Sequence, residues 1–182
     1  MLGPGIGKST VAAGIYAKFK ELGYNAELIT EYAKECVYEN RLLTLQDQVY
    51  VLAKQYHKIK NAFEHNDILI TDSPILLSYI YFKYNKLNKI INESIFKNFT
   101  LELAKSFNCQ QLNILLCNEK NNNSYQEQGR IHTQKESNII QNNIIEMLNE
   151  FNLKYYEIIN KHNSLNLTLE NIFQIFSNNY KK

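Results

Sequence analysis

The segment GPGIGKST, Gly3 to Thr10, constrains this chain more than any other stretch of it. Gly3, Gly5 and Gly7 let successive backbone N–H groups turn to one side, and beyond the closing GKS the apolar residues Val11, Ile15 and Phe19 recur at helical spacing. A glycine loop that runs straight into a helix aims its amides and the positive end of the helix dipole at one anion. In that pattern Pro4, Gly5, Ile6, Gly7, Lys8, Ser9 and Thr10 are the candidate phosphate cradle. Lys8 is placed to reach β/γ oxygens and Ser9 to ligate Mg²⁺. The complete GxxxxGK[ST] pattern asks for a further glycine at position 2, where the chain has Leu2. A chance glycine-rich turn is the competing reading, and the helix behind the loop argues against it.

The remaining periodicities alternate between strand and helix. Helices are expected over Ser9 to Leu22, stopped by Gly23, and over a short stretch through Tyr32, Cys36 and Val37. A long helix capped near Thr44 and Asp47 follows, with Leu45, Val49, Leu52, Tyr56, Ile59 and Phe63 on one face. Ser73 and Pro74 read as the cap and first residue of another helix. Further helices are expected over Glu93 to Ser106, behind a Thr133/Glu136 capping box, and around Leu169, Ile172, Phe173 and Phe176. Asn25 to Thr30, Asp67 to Thr71, Leu112 to Leu116 and Leu153 to Ile158 are the expected strands. Such alternation predicts an α/β fold, a parallel sheet with helices on both faces, in a single domain spanning residues 1–182.

A loop of this kind ordinarily follows the central strand of its sheet, yet only Met1 and Leu2 precede it. The first central strand is therefore expected to lie upstream of Met1, cut off by a misplaced start codon or by truncation. The 182 residues suffice for a core without disulfides, and a net charge of +2 provides no field that would favour nucleic acid or an anionic membrane. Cys36, Cys109 and Cys117 form no CxxC pair, sit among apolar neighbours and are expected to be buried in a reducing compartment. His57, His65, His132 and His162 lack ligand spacing. No stretch has the length of an apolar membrane span and no signal peptide opens the chain, so a cytoplasmic location is expected.

The blocks LGPGIGKSTVAAGIYAKFKELGYNAELITEYAKECVYENR, LTLQDQVYVLAKQYHKI and DILITDSPILLS, with a weaker patch at EQGRIHT, resemble a group of phage-type kinase-like P-loop ATP-binding proteins related to ribosylnicotinamide and deoxynucleoside kinases. The resemblance implies a P-loop NTPase fold with a doubly wound parallel sheet, ATP and Mg²⁺ as cofactors, and transfer of the γ-phosphate to a nucleoside- or nucleotide-like small molecule. It implies roles as well. Asp72, at the end of DILIT, matches the carboxylate that orders Mg²⁺ through water, although Asp72 with Ser73 could simply cap the next helix. Glu31 matches the carboxylate that takes the acceptor's proton, although an acid in a first helical turn also complements the dipole. Arg130, beside Gly129, matches the arginine of a lid, approximately residues 118–133, or is a solvent-facing side chain.

Lys34, Arg41 and Gln55 fall in the resembling blocks and line an acceptor pocket or are solvated. Tyr79, Tyr81 and Tyr84 with Phe82 resemble a base-stacking cluster, but aromatic runs on amphipathic helices are more often core, and they are assigned no function. The expected partners are a nucleotide and a small-molecule acceptor, with neither nucleic acid nor membrane. An ATPase or nucleotide switch acting on a protein partner, and a remnant that binds nucleotide weakly, are the competing functions.

Overall fold

The computed structural model describes residues 7–84, 91–118, 134–160 and 164–180. The chain divides into two compact units, one formed by residues 1–21 with 110–182 and the other by the continuous stretch 22–109.

In the continuous unit, strands β1 (Ala26–Ile29) and β2 (Ile68–Thr71) pair in parallel, with Ala26 level with Ile68 and Ile29 with Thr71. Between them run α2 (Tyr32–Tyr38), a 3-10 turn over Leu42–Gln46, and α3 (Gln48–Phe63), which packs on both strands. Helices α4 (Leu77–Tyr84) and α5 (Glu93–Lys105) complete the unit. Phe82 of α4 stacks on Phe96 of α5 with centroids 4.2 Å apart. That contact and the burial of Tyr79 agree with the expected core role of this aromatic run.

The other unit holds α1 (Lys8–Glu21), β3 (Asn113–Asn118), α6 (Gln134–Glu150), β4 (Tyr155–Asn160) and α7 (Leu165–Asn179). Here β3 and β4 pair in parallel from Asn113 opposite Tyr155 to Asn118 opposite Asn160. The ring of Phe19 fastens α1 to α7, lying 4.9 Å from the rings of both Phe173 and Phe176.

Among the described residues the strands form two two-stranded parallel pairs, an α/β arrangement with the expected parallel pairing, in which a continuous doubly wound sheet is not seen. Other expectations need correction. Pro74 does not open a helix. Its carbonyl accepts from Leu77 N at 2.9 Å, Ile75 and Leu76 carbonyls repeat that i to i+3 bond, and the α-helix begins only at Leu77. Asp47 caps α3 through its carboxylate, which accepts from Tyr50 N at 3.0 Å, so Thr44 and Leu45 belong to the preceding 3-10 turn. The last strand starts at Tyr155, two residues later than expected, because Leu153 N still closes α6 on Leu148 O at 2.9 Å past the left-handed Asn152 (φ 51). Cys36 is buried as expected, whereas Cys109 is exposed. The upstream strand, the Thr133/Glu136 box and the stretch around Arg130 lie outside the described residues or side chains.

Candidate functional site

At the loop end of α1, Gly7 has φ +79, a left-handed conformation that an L side chain rarely adopts. Its carbonyl accepts from Val11 N at 3.0 Å and so closes the first turn. A Cβ at Gly7 would come within 2.8 Å of Asn160 Nδ2, which places the side chain of this last β4 residue against Gly7. Lys8, Ser9 and Thr10 form the first helical positions, and the first turn contains no acidic residue. The first amides of any helix lack acceptors within it, and successive amides around a left-handed residue make an anion-binding concavity. This end of α1 therefore fits a phosphate chain: Gly7 has no room for a Cβ, and the helix's own first turn carries no acidic residue against the positive dipole. The hydroxyl of Ser9 is a hard oxygen donor of the kind Mg²⁺ prefers, as is the carboxylate of Asp72 in the other unit. Pro4, Gly5 and Ile6 lie outside the described residues.

In the continuous unit, Glu31 and Asp72 come from the carboxyl ends of two paired strands. Because Ile29 is level with Thr71, the residues that follow leave the sheet side by side, at the edge where α/β folds place their ligands. Glu31 is the residue before α2, with extended backbone (φ −67, ψ 121), and its side chain makes no capping bond. That leaves dipole complementation as the structural duty of its charge. Ser73 directs its backbone into other bonds, its N–H donating to Thr71 Oγ1 at 3.1 Å.

Both turns are tied to α3. Gln55, only 3% exposed, accepts from Tyr32 N at 3.0 Å through Oε1 and donates from Nε2 to Ser73 O at 3.0 Å. One turn along, Lys58 donates to Thr30 Oγ1 at 3.0 Å and pairs with Glu35. Gln55 is thus neither solvated nor lining an open pocket, in contrast to the sequence reading. A polar residue on the same helical stripe as Leu52 and Ile59 is the signal that could have shown it. Nothing in the sequence marks Lys58, Thr30, Thr71 or Asn160 for their roles.

Arg41 donates from Nη1 to Tyr32 Oη at 3.0 Å and from Nε to Glu39 at 2.6 Å, and Lys34 sits 5.7 Å from the Tyr38 ring centroid. Burial pushes the Tyr32 phenol up to about 12 even though the bond from Arg41 favours its ionised form. The hydrogen bond with Tyr32 lowers Tyr50 below the ordinary tyrosine range.

A family model described as an AAA domain matches residues 3–164, a span that includes the glycine loop, both turns at the ends of β1 and β2, and the four strands of the described residues. No curated protein matches the chain. Among the described residues no helix is long and apolar enough to cross a membrane.

Proposed function

The chain belongs to the AAA domain family, a nucleotide-binding P-loop domain, and from that premise we propose that it is an ATP-dependent phosphotransferase acting on a nucleoside- or nucleotide-like small molecule. The observation that carries the phosphate half of this reading is the left-handed Gly7 opening the acid-free first turn of α1. Two carboxylates at the ends of paired parallel strands carry the other half, because they offer an acid–base group and a metal-directing group on one sheet edge.

In the proposed reaction Lys8 holds the β/γ oxygens of ATP, and Glu31 accepts the proton of the acceptor hydroxyl. The freed oxygen pair forms a bond to the γ-phosphorus as the bond to the β–γ bridging oxygen breaks, and ADP leaves. Mg²⁺, when bound, supplies neutralisation of the charge that builds on those oxygens, with Ser9 and Asp72 as the residues that would hold and order it.

The test is ADP release with and without a panel of nucleosides, nucleotides and ribosylnicotinamide. Release that depends on an acceptor supports the reading. Release that ignores the panel means an ATPase or switch, and no release means a weak binder. Lys8→Ala should abolish transfer and weaken nucleotide binding, since it removes the cation that the loop itself places. Unchanged turnover in that variant would defeat the phosphate assignment.

A further inference from the structure

The backbones that carry Glu31 and Asp72 share a single buried side chain. Building on the phosphotransferase reading, we propose that Gln55 is a positioning residue of the transfer step, setting the two turns on which these carboxylates are mounted.

The geometry is specific to an amide. Tyr32 N, the amide joining Glu31 to α2, meets the acceptor end of Gln55, and Ser73 O, one residue past Asp72, meets the donor end, each at 3.0 Å. A carboxamide is a short side chain that presents one acceptor and one donor in a fixed plane, and burial at 3% exposure leaves neither end to water. Flanking residues add further bonds: Lys58 donates to Thr30 Oγ1 just before Glu31, and the Ser73 N–H donates to Thr71 Oγ1 across Asp72. Both α3 anchors stand on a 16-residue helix that packs on β1 and β2 and makes a stiffer base than either turn. The bridge thus sets the spacing between two groups that belong to separate loops and have no covalent reason to keep it. Chemistry that needs both carboxylates in place at once is sensitive to that spacing, and a displacement near 1 Å costs about 10²-fold in rate.

Two substitutions separate this role from plain stability. Gln55→Met fills the same volume and loses both bonds. Gln55→Glu keeps the bond from Tyr32 N while turning a second acceptor toward Ser73 O, so it disturbs chiefly the Asp72 side. Three quantities are measured below the unfolding temperature: kcat and KM for ATP and acceptor, the Mg²⁺ concentration for half-maximal binding of a fluorescent ATP analogue, and hydrogen exchange at residues 30–33 and 72–75 of the nucleotide-free protein.

We expect Gln55→Met to lose on the order of 10²-fold in kcat with KM for ATP nearly unchanged, and to exchange faster in both turns. Gln55→Glu should raise the Mg²⁺ requirement and quicken exchange mainly at 72–75. A folded Gln55→Met whose kcat stays within about threefold of wild type overturns the proposal, even if its stability is lower. If that variant fails to fold, Gln55→Glu decides, and an unchanged Mg²⁺ requirement overturns it. Should wild type transfer phosphate to no acceptor, the phosphotransferase reading falls by itself. Gln55 is then judged on Mg²⁺-dependent ATP binding: an unshifted requirement in both variants overturns the positioning role, and a shifted one retains it for Asp72.

Discussion

Tyr32 meets its surroundings through three parts of one residue. Its N–H belongs to the Gln55 bridge, its hydroxyl accepts from Arg41, and its ring faces the Arg41 guanidinium with the centroid 5.7 Å away. Burial raises its phenol to about 12, so the folded chain keeps a proton that an unfolded tyrosine releases near pH 10. For a raised pKa the associated stability is fully present below about pH 10 and is lost as pH climbs through about 12. Tyr32→Phe should flatten that alkaline decline, and an absorbance titration should lose one late-ionising tyrosine. An unaltered titration above pH 11 would show that the phenol is solvated. Glu31→Gln should slow transfer while sparing ATP affinity, which equilibrium binding beside single-turnover rates would check. At this scale the sequence was legible wherever chemistry demands one residue type. Gly7 and Gly23, both with positive φ, were read correctly as loop and helix stop. The left-handed Asn40, Asn108 and Asn152 were not, because asparagine tolerates that region without requiring it and abounds elsewhere in this chain.

At the scale of elements, α1 and α7 pack so closely that a Cβ on Gly14 would lie 2.9 Å from Leu169 Cδ1. The obstructing atom is the tip of a flexible, half-buried side chain. Gly14→Ala should therefore come out near neutral: a gain of about 1 kcal/mol in helix propensity is set against a small displacement of Leu169. Gly14→Leu should destabilise by roughly 1–3 kcal/mol through overpacking, read as a lower denaturant midpoint at constant slope. Helix periodicity made α1, α3, α5 and α7 legible, since apolar residues at 3.6 spacing have few other uses. Starts were harder to read. Pro74 and Thr44 carry real local signals, but each was outcompeted by a run of i to i+3 bonds whose advantage lies in how the neighbouring segments pack. The site showed the same division: Asp72 and Glu31 were found as residues that leave strands, while the bridge beneath them joins positions 18 and 23 residues apart.

Across the whole molecule, alternation of strand and helix foretold parallel pairing, and both pairs are parallel. Which strands share an edge was not written in any periodicity, because pairing depends on what else occupies the sheet. The phosphate-loop helix belongs to a unit assembled from the two ends of the sequence, and the segment 22–109 intervenes as a continuous unit. Deleting α7 should therefore release α1 through loss of the Phe19 contacts with Phe173 and Phe176, and should abolish nucleotide binding although every glycine-loop residue remains. Retained binding in a chain ending at Ser164 would contradict this. The same contacts bear on synthesis. A ribosome adds roughly 5–20 residues per second, so α1 leaves the tunnel on the order of ten seconds before the helix that covers Phe19. A helix made early is thus covered late, and in that interval the exposed Phe19 ring is a ready target for a chaperone.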